Sequence, residues 1–289
     1  MECQAIKPTV WNCGRFHFDW GQNISPVVMG ILNITPDSFS DGGQFLDQQK
    51  ALDHAWQMIE DGATIIDLGG ESTRPGAKTV SAQEEQDRVL PILEKLQNAG
   101  VALSIDTYKS QTMQYALQTG VDILNDISGF RDPANLAVAT SSKTVGLCVM
   151  HMQNTPATMQ INPQYANVLE DVRKFFAETL LNLSHAGIAS NRIALDPGFG
   201  FGKTVEHNLH ILHRLEIFKA FDTALLVGLS RKKMISHILG SPNQDKTVAS
   251  VAAALLAVER GANIIRVHDV RATVDAVRVW TAMRLERLT

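Results

Sequence analysis

The sequence comprises 289 residues, of which 45% are hydrophobic and 19% charged, with a formal net charge of −4. This composition is typical of a globular protein with a large core, and the length permits either two domains or one α/β barrel. Because neither sign of charge forms a run, we expect no nucleic acid and no anionic membrane surface as a main partner.

Cysteine usage and the terminal sequence indicate the compartment. Cys3, Cys13 and Cys148 are odd in number and widely spaced, which argues against a disulfide scaffold and favours a reducing compartment. The first residues lack the unbroken apolar stretch of a signal peptide. The longest apolar run, 248–258, contains Ser250 and is too short to cross a bilayer, so it is interpreted as a buried helix. We therefore predict a cytoplasmic protein with a single domain over residues 1–289.

Apolar runs that each end in a polar residue recur along the chain. They are 27–33, 64–70, 101–107, 121–126, 145–151, 192–198, 223–230 and 263–269. Runs that are apolar on both faces and separated by helical sequence are typical of parallel strands covered on both sides. The segment 1–25, which precedes the first run, is predicted to be a cap over the bottom of the resulting sheet or barrel.

Helical sequence lies between these runs. In 48–62, Leu52, Ala55, Trp56 and Ile59 form an amphipathic stripe at helical spacing. Residues 81–84 match a capping box that starts the next helix, in which Pro91 predicts a kink or a late start. Further helices are predicted over 109–119, 132–140, 165–186, 204–214, 231–239, 247–260 and 270–285.

Eight β-α units in one chain predict a (β/α)₈ TIM barrel with a short N-terminal cap segment. An open doubly wound sheet is the alternative, although such sheets usually contain fewer strands. The active sites of TIM barrels lie at the carboxyl ends of the strands, which directs attention to the residues found there.

All eight predicted strands end in polar side chains, whereas packing alone would favour apolar ones. The residues are Asn33, Asp67, Asp106, Asn125, His151, Asp196, Ser230 with Arg231 and Lys232, and Arg266 with His268. The competing interpretation is that such residues only cap the following helices, and it suits Asp67 and Ser230 best. Taken together, the set favours a binding site at the mouth of the barrel.

This polar set divides into two chemical groups. The first provides acceptors, an amide and a cation, as a flat heterocycle with a guanidine-like edge and an oxo group requires: Asp106, Asn125, Asp196 and Lys232. The second provides donors for a highly charged anion such as phosphate: Arg74, Arg266 and His268, with Asn33 and Thr73. The pocket is therefore predicted to hold a polar ring beside a phosphorylated group.

Several sequence blocks, in order along nearly the whole chain, resemble dihydropteroate synthases. These blocks are MGILNITPDSFSDGG (29–43), DLGGESTRPGA (67–77), SIDT (104–107), NDISG (125–129), VMHMQ (149–153), LDPGFGFGK (195–203), LVGLSRKK (226–233) and RVHDVRAT (266–273). The resemblance implies a TIM barrel and a transferase of folate biosynthesis, a family targeted by sulfonamides. Its members join 6-hydroxymethyl-7,8-dihydropterin diphosphate to p-aminobenzoate, forming 7,8-dihydropteroate and diphosphate.

The resemblance also implies roles for individual residues. Asp196, Asn125, Asp106 and Lys232 would bind the pterin edges, with Met150 and the stem of Arg266 on its two faces; the residue pattern alone would make Met150 a core residue. Asn33, Thr73, Arg74, Arg266 and His268 would bind the diphosphate, with Mg²⁺ held by Asn33 and phosphate oxygens. Phe39, Thr73, Pro75, Phe201 and Lys233 would contact p-aminobenzoate. The predicted catalytic residues are Asp41, Arg74, Lys232, Arg266 and His268.

Two glycine-rich loops are predicted to meet at the barrel mouth. Glycines at the end of the second strand let the backbone of 63-ATIIDLGGESTRPG-76 turn towards a ligand, and the loop beyond carries Thr73 and Arg74. By resemblance, this loop closes with the first loop, which carries Asp41. Lys233 stands where some family members have a serine that helps seat the carboxylate of p-aminobenzoate, so this contact depends on whether the backbone or the side chain makes it.

Three alternative functions are considered for the same residues. The stretch 196–204 resembles a phosphate-binding loop but has Pro197 where a Walker A motif needs glycine. A barrel that transfers a methyl group from a methylated folate to a corrinoid would share the pterin residues but has no use for Arg74, Arg266 and His268. A pterin-binding protein without catalysis is the third alternative. His207, His210 and His213 are interpreted as a solvated helix face, and the helix around 248–258 as a candidate homodimer interface.

Overall fold

The protein folds as a barrel of parallel strands surrounded by helices. The computed structural model describes residues 9–22, 24–35, 44–72, 78–156, 158–241 and 243–287, with the backbone alone for 44–47. The barrel strands are β3 (Val27–Asn33), β4 (Ile65–Gly69), β5 (Ala102–Asp106), β6 (Ile123–Asp126), β7 (Gly146–Met150), β8 (Ile193–Asp196), β9 (Ala224–Val227) and β10 (Ile264–Val267). They pair in chain order, and β10 closes the barrel on β3. The predicted TIM barrel is confirmed, and the open sheet is excluded.

The helices that cover the barrel agree with the predicted segments. They are α1 (Gln44–Glu60), α2 (Ala82–Leu96), α3 (Ser110–Thr119), α4 (Pro133–Ser141), α5 (Val168–His185), α6 (Val205–His213), α7 (Lys233–Ile238), α8 (Thr247–Glu259) and α9 (Val270–Leu285). In the part of the chain that the structure describes, no helix is long and apolar enough to cross a membrane. Two 3₁₀ segments, Ser190–Arg192 and Leu215–Phe221, were not predicted.

Two helix details differ from the sequence expectations. Ser81 caps α2 by accepting a hydrogen bond from the Glu84 backbone, but the helix then runs through Pro91 without a late start. His207 belongs to the start of α6 rather than to a fully solvated face, because its Nδ1 accepts from the backbone N–H of Thr204 at 3.2 Å. His210 and His213 are exposed, as predicted.

The N-terminal cap is a β-hairpin that covers the amino end of the barrel. Its strands, β1 (Val10–Cys13) and β2 (Phe16–Asp19), pair antiparallel. Trp11 is fully buried against inward-facing strand residues, and its indole N–H donates to the carbonyl oxygen of Arg192 at 3.1 Å. Arg15 adds an ion pair to the buried carboxylate of Asp122, with Nη2 and Oδ2 2.7 Å apart. Trp11 of the hairpin therefore covers the amino end of the barrel, and the ion pair between Arg15 and Asp122 attaches the hairpin to the barrel.

Inward-facing side chains change character along the barrel axis. Alternate residues of a strand face the same side, so Ile65, Asp67 and Gly69 of β4 all point into the barrel. At the amino end the inward residues pack into one apolar cluster with Trp11: Val27, Met29, Ile65, Ala102, Ile123, Cys148, Ala194, Ala224, Leu226 and Ile264. Two to four residues further along most of these strands, polar side chains replace them, whereas β7 ends in the apolar Met150. The barrel is thus an apolar core at one end and a polar site at the other.

Candidate active site

The strand register aligns polar side chains of neighbouring strands at the carboxyl end of the barrel. Asn33 of β3 pairs with Gly69 of β4, Gly69 with Asp106 of β5, and Asp106 with Asn125 of β6. Gly69 lies between these side chains, because a Cβ there would be in ordinary contact with Asn33 Oδ1 at 3.6 Å and Asp106 Oδ2 at 3.8 Å. Asn33, Asp106 and Asn125 therefore lie side by side around half of the mouth.

Arg266 of β10 reaches across the barrel to two carboxylates. Its Nε donates to Asp67 Oδ2 at 2.6 Å, and its Nη2 donates to Asp106 Oδ2 at 2.6 Å. The same Oδ2 atom of Asp67 accepts a second hydrogen bond, from the side-chain amide of Asn125 at 3.1 Å. These bonds join the end of β10 to β4, β5 and β6. The residues that make these bonds, together with Asn33 and Gly69, form what we call the floor of the site. The two predicted groups of residues thus meet in one network.

The charges of this network influence one another. Burial works against the charge of Arg266, but the carboxylates of Asp67 and Asp106 outweigh this effect and raise its pKa. Burial raises the pKa of Asp106 to about 7, although Arg266 favours its ionised form. Arg266 is therefore a permanent cation, whereas Asp106 changes protonation state near neutral pH.

Asp196 and Lys232 occupy the opposite side of the floor. Asp196 ends β8 and accepts a hydrogen bond from the backbone of Gly198 at 2.8 Å; burial raises the pKa of its carboxyl group. The ammonium group of Lys232 lies 4.3 Å from the ring centre of Phe201. Burial and the nearby Arg266 lower the pKa of Lys232 to about 8. Asp196 and Lys232 thus place an acceptor and a donor opposite Asp106 and Asn125.

An apolar cluster forms one wall beside the floor. Met150, which ends β7 next to Asp196, is buried with Ile127, Met152 and Met159, and Phe201 packs against this cluster. The side chains of Met150 and Phe201 therefore present an apolar surface to the mouth of the barrel. Lys233, in contrast, is exposed at the start of α7.

The loop that carries Phe201 is held by a buried lysine. Lys203 is 3% exposed, and its Nζ donates to the carbonyl oxygens of Gly198 at 3.0 Å and Phe201 at 3.1 Å. It also lies 2.9 Å from Nδ1 of His151, which follows β7 and packs against Phe175 of α5 rather than facing the barrel mouth. A Cβ at Gly198 would lie 1.9 Å from the His151 carbonyl oxygen, so only glycine permits this close approach. The phosphate-loop-like sequence is therefore a compact turn fixed from within by its own lysine.

His268 lies at the edge of the floor beside Ser230. Its Nδ1 is 3.1 Å from the Ser230 hydroxyl oxygen, which also accepts from the His268 backbone N–H at 3.2 Å. Burial and the charge of Arg266 lower the pKa of His268 to about 4. The imidazole is thus neutral at pH 7 and would bind an anion through an N–H group rather than through charge.

The comparisons with known proteins agree with this arrangement. The model of the pterin-binding enzyme family matches residues 29–268. Dihydropteroate synthase of Haemophilus influenzae is 47% identical over 258 residues, covering 89% of this chain and 94% of the relative, and that of Escherichia coli K12 is 48% identical over 258 residues, covering 89% and 91%. The chain belongs to the dihydropteroate synthase family.

Solved structures of dihydropteroate synthases have the same fold. The enzyme of Burkholderia cenocepacia complexed with 7,8-dihydropteroate gives a TM-score of 0.85 at 45% identity, covering 96% of this chain and 98% of the other. The enzyme of Yersinia pestis with a sulfonamide drug gives 0.88 at 44% identity, covering 96% and 99%. The predicted family, barrel and transferase class are therefore confirmed.

The structure describes only some of the residues that the dihydropteroate synthase resemblance pointed to. Arg266, Lys232, Asp106, Asn125, Asp196, Asn33, Met150, Phe201 and His268 all lie at or beside the carboxyl end of the barrel. Phe39, Asp41, Thr73, Arg74 and Pro75 lie outside the described residues. The contacts predicted for these two loops remain predictions.

Two residues of the polar strand-end set, for which helix capping was the competing interpretation, belong to the site. Asp67 is fully buried beneath Arg266, and Ser230 bonds His268. Lys203 fixes the loop behind Phe201. The sequence signal for Asp67 was its position two residues before Gly69 on an inward face, yet nothing in a strand-end pattern identifies its partner 199 residues away.

A metal at this site would depend on ligands from the substrate. No group of three or more His, Cys, Asp or Glu side chains among the described residues could hold a metal ion. The predicted ligand, the amide oxygen of Asn33, lies beside Gly69 at the carboxyl end of the barrel. One oxygen ligand from the protein suits Mg²⁺, which keeps several waters and is commonly completed by phosphate oxygens.

Proposed function

We propose that this chain joins 6-hydroxymethyl-7,8-dihydropterin diphosphate to p-aminobenzoate, releasing diphosphate and forming 7,8-dihydropteroate. The observation that carries the proposal is the floor itself, where acceptors of Asp106, Asn125 and Asp196 surround the cations of Lys232 and Arg266. A polar ring and an anion can bind there together, which suits a pterin diphosphate. The family membership and the solved complex of a relative with 7,8-dihydropteroate support it.

The polar edges of the pterin ring would meet the side chains of this floor. Carboxylates accept from adjacent N–H groups, so Asp196 and Asp106 would take the donor edges of the ring, and Asn125 offers both a donor and an acceptor. The ammonium group of Lys232 would donate to the oxo group. Met150 supplies an apolar face to one side of the ring, and the stem of Arg266 supplies the other.

The diphosphate would lie at the Arg266 side of the mouth. Arg266 provides positive charge, His268 provides an N–H group, and Thr73 and Arg74 are proposed to complete the site. Asn33 would hold Mg²⁺ together with diphosphate oxygens, and the ion would neutralise charge on the leaving group. Asp41 is proposed to assist from the first loop.

Bond formation needs no nucleophilic side chain. The carbon–oxygen bond between the methylene group and the diphosphate breaks with its electron pair leaving on oxygen, and the dihydropterin delocalises the resulting positive charge. The amino nitrogen of p-aminobenzoate then forms the new carbon–nitrogen bond and loses a proton. Positioning and electrostatic stabilisation by this chain's residues therefore carry the rate.

The p-aminobenzoate ring would lie over the pterin, towards solvent. Phe201 is the described aromatic residue on that side, and Phe39, Thr73 and Pro75 are proposed as the other walls. The start of α7, where Lys233 is exposed, is proposed to receive the carboxylate. A relative from Xanthomonas albilineans was solved with 4-aminobenzoic acid, and it is 38% identical to this chain with a TM-score of 0.88.

We further propose a cytoplasmic homodimer. Cys13 and Cys148 are buried free thiols, as a reducing compartment would maintain. Exposed apolar side chains lie on α8 and α9, namely Val248, Leu256, Val279 and Met283. Such a patch favours association of two chains through these helices. Light scattering of the purified chain tests the proposal, because Val279→Glu is expected to convert a dimer to a monomer.

The reaction is tested by following diphosphate release from the pterin diphosphate with Mg²⁺, with and without p-aminobenzoate. We expect dihydropteroate only with both substrates, and a loss of at least about a hundredfold in kcat/KM for Arg266→Ala, because the variant lacks a cation that would stabilise the charge developing on the departing diphosphate. Arg278→Ala, which changes an exposed arginine of α9, is the matched control and should be unaffected. Pterin binding without diphosphate release would instead indicate a pterin-binding protein or a methyl carrier.

A further inference from the structure

Asp67 has no role in the reaction proposed above, yet it lies directly beneath the residues that do. It is fully buried, and its side chain points inward between the apolar cluster and the floor. Its Oδ2 accepts from Arg266 at 2.6 Å and from Asn125 at 3.1 Å, whereas its Oδ1 has no hydrogen-bond partner among the described residues. One oxygen atom therefore holds two residues of the floor.

The bond to Asn125 determines which way its amide faces. The oxygen and nitrogen of an asparagine are nearly the same size, so only hydrogen bonding distinguishes the two orientations. An arginine-bound carboxylate oxygen accepts hydrogen bonds and cannot donate them, so it selects the nitrogen of Asn125. The second amide hydrogen and the amide oxygen of Asn125 then face the site in a fixed order of donor and acceptor.

The bond to Arg266 acts on the other side of the floor. Asp67 binds Nε and Asp106 binds Nη2, so two carboxylates on neighbouring strands hold the guanidinium plane from two points. A guanidinium group held by a single carboxylate would be able to rotate about that contact. Asp67 thereby also limits the direction in which Arg266 presents its remaining N–H groups.

We propose that Asp67 is a positioning residue of the reaction: it fixes the amide of Asn125 and the guanidinium of Arg266, and so sets the donor and acceptor pattern that the floor presents to the pterin. This role rests on the proposed function, because it assumes that the ligand on the floor is a pterin. Asp67 itself lies below the ligand and touches neither substrate.

The test is the affinity of the full-length chain for 6-hydroxymethylpterin, measured by isothermal titration calorimetry. Asp67→Asn keeps the shape of the side chain but can turn either an oxygen or an N–H group towards Asn125. We expect the dissociation constant to rise by about tenfold or more, while the KM for p-aminobenzoate at saturating pterin diphosphate changes by less than about threefold. Ser104→Ala is the matched control, since Ser104 pairs with Asp67 across the strands and its hydroxyl has no partner among the described residues.

A double-mutant cycle separates positioning from a general effect on folding. If Asp67 acts through Asn125, Asp67→Asn should weaken pterin binding much less in an Asn125→Ala background than in the unmodified chain. Penalties that simply add would overturn the role that Asp67 has through Asn125, and equal affinity of the Asp67→Asn and unmodified chains would overturn its role through both residues. No binding of 6-hydroxymethylpterin by the unmodified chain would instead overturn the proposed function.

A measurement on the unmodified chain covers the case in which Asp67→Asn does not fold. One side-chain amide hydrogen of Asn125, identified by nuclear magnetic resonance, should be protected from exchange with water in the ligand-free protein, because it is bonded to Asp67. Rapid exchange of both hydrogens would show that Asp67 does not hold the amide, and would overturn the proposal.

Discussion

Arg266 is held inside the barrel by two carboxylates that bind different nitrogens of its guanidinium group. A planar fork is suited to this geometry, whereas a lysine provides one compact ammonium group at the end of a flexible chain. The network also concentrates two negative charges and one positive charge in a buried region. Its individual members should therefore be sensitive both to substitution and to pH.

Substitution of Arg266 by lysine tests whether the site requires a planar guanidinium group that bonds two carboxylates at once. The charge is kept, but one ammonium group cannot reproduce both bonds in the same plane, so we expect kcat/KM to fall by at least about tenfold. Steady-state kinetics of the synthase reaction provides the measurement. Arg173→Lys, in an exposed pair with Glu170, should leave the kinetics unchanged. Equal activity of Arg266→Lys and the unmodified chain would show that charge alone suffices.

The protonation of Asp106 predicts a pH dependence of ligand binding. Burial raises its pKa to about 7, so the carboxyl group takes up a proton as the pH falls through neutrality. A protonated carboxyl group loses an acceptor for ring N–H groups, and the dissociation constant for 6-hydroxymethylpterin should therefore rise, by up to about tenfold per unit, from pH 7.5 to 5.5. Calorimetry at several pH values measures this slope. Asp106→Asn should bind more weakly but with a flatter profile; an unchanged slope would assign the titration to another group.

At the scale of elements, the connection between β8 and α6 shows how a loop is made rigid without secondary structure. Residues 197–203 contain three glycines with positive φ, at Gly198, Gly200 and Gly202. Lys203 compensates for the absence of helical or strand bonding by donating to carbonyl oxygens on both sides of the turn. Phe201 is thereby kept beside Lys232.

Lys203→Met is expected to loosen this loop. Methionine fills similar space but leaves the carbonyl oxygens of Gly198 and Phe201 without a donor, at a cost of about 1–3 kcal/mol for each buried acceptor left unpaired. We expect the KM for p-aminobenzoate to increase by about tenfold or more, and the affinity for 6-hydroxymethylpterin to change less, because Phe201 lies towards the outer side of the site. Lys174→Met on the exposed face of α5 is the matched control. Equal changes for both ligands would contradict a role confined to this loop.

The sequence predicted elements better than it predicted contacts. Each barrel strand is a short apolar run bounded by polar residues, and this pattern follows from burial on both faces. The hairpin Val10–Asp19 escaped prediction as strands because it is short, and only the hairpin's position before the first strand indicated a cap. The roles of Asp67 and His207 depended on atoms brought together by folding, at Arg266 and Thr204 respectively. Strand-end patterns give the location of a site but not the partner of each side chain.

At the scale of the whole molecule, one end of the barrel stabilises the fold and the other end forms the site. Trp11 and the apolar inward residues form a core at the amino end, and the polar floor lies at the carboxyl end. Natural domains tolerate unfavourable buried polar groups at a site when packing elsewhere stabilises the fold. The cap should therefore affect stability and leave the chemistry largely intact.

Trp11→Ala is expected to lower the free energy of unfolding by about 3–5 kcal/mol, because a large buried aromatic residue is lost together with its hydrogen bond to Arg192. Denaturant unfolding followed by circular dichroism measures this loss. Trp56→Ala, which changes a side chain that is 43% exposed, should cost about 1 kcal/mol or less. Both folded variants should retain the KM values of the unmodified chain; an increase in KM for Trp11→Ala would show that the cap also shapes the floor.

The packed amino end of the barrel also determines where ligands enter and leave the site. A binding site with one opening admits and releases its ligands through that opening, and the ligand that binds first lies deepest. In the proposed reaction the pterin lies deeper than p-aminobenzoate, so the pterin is expected to bind first and p-aminobenzoate second. The joined product would leave through the same opening before the next pterin enters. Because Trp11 and the apolar inward residues fill the amino end of the barrel, this order follows from packing at the far end of the molecule.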